Sequence, residues 1–105
     1  MLLEKSKFTD TDVVSFKLIN GDEILGKYVK EDMVSFTIGR PVMLAMTKNG
    51  PAMAPIMMTV NPDNEYTINK SAVMFSGITV KEIAEQYIFQ TTGIQPVSAG
   101  SIVTG

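Results

Sequence analysis

The segment Gly21-Asp22-Glu23-Ile24-Leu25-Gly26-Lys27 places two glycines with four residues between them and a lysine after the second. That is the spacing of a phosphate-binding loop, which needs a Ser or Thr next and then a helix to aim backbone amides at phosphate. Tyr28 follows instead, within an alternating apolar pattern, so this reading assigns no nucleotide site. Three carboxylate groupings are also close in sequence: Asp22-Glu23, Glu31-Asp32 and Asp63-Asn64-Glu65. Paired carboxylates do acid–base work only with a cleft and a second partner. Here they read as solvated turns, with Asp32 accepting backbone hydrogen bonds in a tight loop. The chain has no histidine and no cysteine. It therefore lacks the commonest general base, the commonest transition-metal ligands and any disulfide framework. No nucleophile–base pair or cofactor motif is present, so the expectation is a non-enzyme without cofactor or metal.

The elements around these residues are mostly strands. Val14, Phe16 and Leu18 alternate with Ser15, Lys17 and Ile19, which marks a strand with one buried face. Asn20-Gly21 is a strong hairpin signal, predicting a tight two-residue turn with positive φ at both positions. The return strand carries Ile24 and Tyr28 around Gly26, where a glycine predicts a sharp bend or a close backbone approach. Val34, Phe36 and Ile38 resume the alternation, Gly39-Arg40-Pro41 interrupts it, and Val42, Leu44 and Met46 continue it. Lys48 to Pro51 and Asn61 to Asn64 read as turns, and the apolar stretch 53–60 between them as an edge strand containing Pro55. Two short strands follow around Asn69-Lys70-Ser71. A helix is predicted over 79–93, with Thr79 and Glu82 as a capping box and Ile78 and Ile83 as a hydrophobic staple. Its apolar face is Val80, Ile83, Ala84, Tyr87 and Ile88, and Gly93 terminates it. Residues 1–12 are a polar lead-in and 94–105 a tail.

Composition fits one small globular domain across all 105 residues, 45% of which are hydrophobic. The net charge of −2 argues against indiscriminate binding to nucleic acid while allowing a local basic patch. Lys27, Lys30 and Arg40 are scattered cations of a solvated surface. The eight methionines suit flexible core filling, with a plastic binding surface as the other reading. No apolar run approaches a membrane span, and the expected location is the cytoplasm of a bacterial or phage-infected host cell.

The hairpin resembles the first motif of the Sm-like family, which includes LSm and Hfq-type proteins. Phe16, Leu18, Gly21, Ile24, Gly26, Tyr28 and Asp32 fill that motif without a gap. The likeness is greatest to divergent Sm-like proteins of bacteriophages and cyanophages and covers about a fifth of the chain. It implies a small, strongly bent, five-stranded open barrel of SH3-like shape over 13–77, here with a C-terminal helix where the family usually has an N-terminal one. It also implies a homo-oligomeric ring of about five to seven subunits, whose closure removes exposed strand edges. Family members bind uridine-rich single-stranded RNA. Carried onto this chain, Met33 takes the stacking place and Ser35 that of the family's asparagine. In the second motif Ile68-Asn69-Lys70 is the preferred match, with Asn69 in the arginine place and Lys70 in the glycine place. Phe75-Ser76-Gly77 is the rival register.

Two functional readings follow. In the first, a homo-oligomeric ring binds U- or A-rich single-stranded RNA through Met33, Ser35, Asn69 and Lys70, as an RNA chaperone or RNA-metabolism factor. In the second, a structural or assembly ring of phage origin keeps the barrel without RNA binding. Methionine stacks less well than an aromatic ring, serine offers fewer hydrogen bonds than asparagine, and Lys70 also reads as an exposed turn lysine.

Overall fold

A computed structural model describes residues 8–93. Most of the predicted lead-in and all of the predicted tail lie outside them. The elements in chain order are β1 (Val13–Leu18), β2 (Glu23–Glu31), β3 (Ser35–Thr47), β4 (Gly50–Pro55), β5 (Glu65–Asn69), a 3-10 turn (Lys70–Ala72), β6 (Val73–Ile78) and α1 (Lys81–Thr92). The strands form one open antiparallel sheet in the order β4-β3-β2-β1-β6, with β5 also pairing to β3. β4 pairs with residues 42–47 of β3 and β5 with residues 35–39. The described residues thus form six strands, one more than the five-stranded barrel implied by the Sm-like resemblance. The predicted apolar strand over 53–60 is also corrected: β4 starts at Gly50 and stops at Pro55, a residue whose nitrogen has no proton to extend the ladder.

The sheet curls because its connections leave no alternative. In a flat sheet β5 and β6 would lie four strand spacings apart, about 19 Å. Only the 3-10 turn joins them, and its four steps advance about 8 Å. Two backbone hydrogen bonds seat this bridge. Lys70 N–H donates to the Val34 carbonyl at 2.7 Å, and Ile19 N–H donates to the Ala72 carbonyl at 2.9 Å. The β1–β2 and β2–β3 loops are thereby brought to either side of one turn.

The inner face of the curl holds the larger core. Val14, Phe16, Ile24, Tyr28, Phe36 and Ile38 cluster there, with Val14, Phe16 and Ile38 fully buried. The alternation of β1 is therefore the burial pattern. The Phe16 and Phe36 rings meet across the interior at 4.9 Å between centroids. Phe8, which the polar lead-in reading overlooked, plugs this core against Tyr28 and Phe36. Val34, expected to share the buried face, is instead 68% exposed, because β3 begins only at Ser35.

Gly26 sits where β2 shifts register against β3. A Cβ there would lie 2.9 Å from Ile38 Cδ1 and 3.2 Å from the Gly39 carbonyl oxygen. The close approach expected from the sequence is present. The hairpin turn is longer than the predicted two residues. Leu18 N–H donates to the Asp22 carbonyl and Gly21 N–H to that of Leu18, and only Gly21 takes positive φ, at 97°. Asn20 acts through its side chain, accepting the Asp22 amide at 2.9 Å.

Helix α1 covers the opposite face of the sheet, over Val13 and Leu25, using Ile83, Ala84, Tyr87 and Ile88. Val80, assigned to that face, is exposed. The capping box and staple are not formed. The N-cap is Val80 without a side-chain hydrogen bond, and Ile78 is exposed at the end of β6. Thr79 is buried, and its hydroxyl lies 2.6 Å from that of Ser15, so the sheet claims it before the helix can. Gly93 ends the helix in the left-handed conformation, as expected. The predicted interruption at 39–41 is a bend within a continuous β3, with Arg40 at φ 47°. Tyr87 anchors that bend by donating its hydroxyl to the carbonyls of Gly39 at 2.9 Å and Arg40 at 2.8 Å. Burial pushes the Tyr87 phenol up to about 12.

Two stability measurements check this account. Gly26→Ala is expected to cost about 1–3 kcal/mol in urea denaturation, because Ile38 and the β3 backbone must shift to admit the methyl. Tyr87→Phe is expected to cost about 1–2 kcal/mol by leaving two carbonyls without their donor. An unchanged midpoint in either variant contradicts the packing described.

Candidate functional site

The residues singled out from two distant segments share one corner of the sheet. Ser35 opens β3 and stands directly opposite Asn69, the last residue of β5. Lys70 begins the 3-10 turn, and its amide reaches the 32–34 loop through Val34. Met33 stands at the tip of that loop, 92% exposed. The rival segment Phe75-Ser76-Gly77 lies within β6, paired with β1, and not at the turn. β6 ends at Ile78, one residue past Gly77, so no further strand follows the rival register before α1.

Asp32 builds the loop. Its Oδ1 accepts the amide protons of Val34 at 2.9 Å and Ser35 at 2.8 Å, and the Ser35 hydroxyl proton at 3.0 Å. These bonds favour the carboxylate, so its pKa lies below the usual value, first through the Val34 amide, then the Ser35 amide and hydroxyl. The structural role assigned to Asp32 is present. Ser35 spends its hydroxyl proton on Asp32 and keeps only acceptor capacity for a ligand. The Asn69 side chain makes no cap hydrogen bond and is exposed. Its amide retains both donor and acceptor functions.

Lys70 is not a plain exposed turn lysine. Its ammonium lies 2.6 Å from Glu31 Oε2 and 4.9 Å from the centroid of the Phe36 ring, with both ionic side chains mostly covered. Glu31 Oε1 in turn accepts the Tyr28 hydroxyl proton at 3.1 Å. Glu31 therefore departs from the solvated-turn reading. Its partner is 39 positions away, and no local pattern joins the two. Among the described residues the corner sets the Lys70 cation beside the carboxylates of Glu31 and Asp32. Exposed apolar side chains of Ile19, Met33 and Val34 belong to the two loops that flank the turn.

A second concavity, of about 460 Å³, is lined by Lys27 and Arg40 with Asp10, Asp63 and Glu65. It contains none of the four predicted site residues. Among the described residues no cluster of three or more acidic side chains is arranged to hold a metal ion, and no helix is long and apolar enough to cross a membrane.

No protein-family model matches the chain, and no curated protein matches it significantly. Its site must be judged on geometry and charge alone.

The Asp32 turn generates a titration test. In the folded protein the Asp32 carboxyl should titrate below 3.8, its ordinary value. Because the folded pKa is depressed, the stabilisation it provides is present above the unfolded carboxylate range and is lost as pH falls through the folded value. In Ser35→Ala the Asp32 titration should move upward, read by carboxyl carbon NMR. A midpoint that does not move would remove the Ser35 hydroxyl from this account.

Proposed function

We propose that this chain is a subunit of a homo-oligomeric Sm-like ring that binds U- or A-rich single-stranded RNA at the corner of Met33, Ser35, Asn69 and Lys70. The observation that carries the reading is the direct opposition of Ser35 and Asn69 across β3 and β5. The two residues lie in separate segments of the chain, and the pairing of β3 with β5 makes them neighbours. The fit to the task is chemical. Asn69 offers a donor and an acceptor to a base edge, Ser35 an acceptor, and Met33 an exposed thioether for an apolar base face.

The ring is supported by the ends of the sheet. β4 and β6 terminate the strand order, and β6 exposes Met74, Phe75 and Ile78. An apolar open edge favours pairing with another chain, and cyclic closure uses every such edge. The C-terminal helix leaves the corner uncovered, since it packs on the other face of the sheet.

A structural ring without RNA affinity is the second reading. It is favoured by the Lys70–Glu31 ion pair, which already engages the Lys70 ammonium, and by the net charge of −2.

Fluorescence anisotropy with labelled oligo-U and oligo-A, on a species whose mass is measured by light scattering, separates the two readings. Saturable binding at physiological salt is expected. Asn69→Ala should weaken it by about 3- to 10-fold, the effect of one neutral hydrogen bond. An intact ring that binds neither oligonucleotide rejects the RNA reading in favour of the structural one. A monomer at micromolar concentration rejects the ring.

A further inference from the structure

We infer that Glu31 is a built-in competitor for phosphate at Lys70, holding the affinity of the corner for single-stranded RNA below what its residues would otherwise provide. The inference rests on the RNA-binding reading above and concerns how that same site is regulated.

Three contacts carry it. The Glu31 carboxylate meets the Lys70 ammonium at 2.6 Å, within the range of a charge-assisted hydrogen bond. A carboxylate offers the same single negative charge and paired oxygens as a phosphodiester, so it occupies the position that a backbone phosphate would need. Tyr28 holds the other carboxylate oxygen at 3.1 Å, and the Phe36 ring lies beneath the ammonium. The acid and the base are thus both oriented before any ligand arrives. Asp32, the other nearby acid, is committed through Oδ1 to the amides of Val34 and Ser35. Glu31 is therefore the carboxylate that a ligand must displace. The pair keeps some solvent access, with 30% of the Lys70 side chain and 20% of the Glu31 side chain exposed. Displacement needs no opening of the core.

Only when Glu31 is neutralised does the Lys70 ammonium turn to a phosphate oxygen, while the side chain at position 31 keeps its bond from Tyr28. While Glu31 holds Lys70, the corner recognises only the uncharged parts of a nucleotide, through Asn69, Ser35 and Met33. Binding by the unmodified protein is then weakly salt-dependent, because few counterions are released. Neutralising Glu31 frees one cation for phosphate.

The test compares the intact oligomers of wild type, Glu31→Gln, and Glu31→Gln with Lys70→Ala, binding labelled oligo-U across a salt series. Glutamine keeps the shape of Glu31 and can still accept the Tyr28 proton. Glu31→Gln is expected to bind about tenfold tighter at low salt. Its log–log salt slope should steepen by about 0.7, the value for one added phosphate contact on a single strand. Both gains should vanish in the double variant. Glu31→Ser serves as the second charge-removing variant, and the same gain is expected from it. If the wild type binds and Glu31→Gln binds equally with the same slope, the competitor role is overturned while the RNA reading stands. A gain that persists without Lys70 also overturns it, since the effect is then general charge removal. Absence of binding by all of these rings overturns both the competitor role and the RNA reading.

Discussion

The short bridge between β5 and β6 is the constraint on which this fold depends. Three residues, Lys70 to Ala72, connect strands that pair with β3 and β1, and β2 lies between those two. The geometry forces β2 to curl, and the curl creates an interior that Phe16, Phe36 and Ile38 fill. It also explains why a side chain at Gly26 would be crowded, since a Cβ there would lie 2.9 Å from Ile38 Cδ1. Core, bend and candidate site are consequences of one short connection.

The sheet has two apolar faces, and each acquires a different cover. The concave face closes on itself around an aromatic cluster capped by Phe8. The convex face is too apolar at Val13 and Leu25 to stand in water, and α1 lies across it. Tyr87 joins the two layers at the bend of β3, where Arg40 adopts a backbone conformation costing on the order of 1 kcal/mol for a residue with a Cβ. The phenol bonds both carbonyls flanking that strain, so the helix stabilises the bend as well as covering the face.

Charge governs what the corner is able to recognise. The fold gives Lys70, a member of the proposed RNA site, an internal carboxylate and an aromatic ring as partners. Partly exposed ion pairs of this kind contribute little to stability, about 0–1 kcal/mol. Their larger effect here is to engage the Lys70 ammonium, which among the described residues stands beside two carboxylates, Glu31 and Asp32. The proposed RNA site accordingly relies on the polar edge of Asn69 and the apolar surface of Met33 more than on cations.

Local pattern was sufficient for much of this protein. The period-two alternation of β1, the turn at Gly21, the close approach at Gly26, the Asp32 loop and the apolar face and end of α1 are all legible because each depends on residues a few positions apart. Features set by distant partners were not. Thr79 has the chemistry of a helix cap, but Ser15, 64 positions away, takes its hydroxyl. Phe8 looks like part of a polar leader until the curl provides a cavity for it. Glu31 reads as a solvated turn acid, and Lys70 as an RNA-binding or exposed turn lysine, until the bridge between β5 and β6 sets them side by side. The sequence by itself determined the strands of the first hairpin, the approximate turns and most of the helix's apolar face, but it misplaced the strand at 53–60 and put Val80 on that face. Only the tertiary structure decided which charges meet, because electrostatic contact depends on through-space distance, and a sequence pattern carries information about distance only across a few residues.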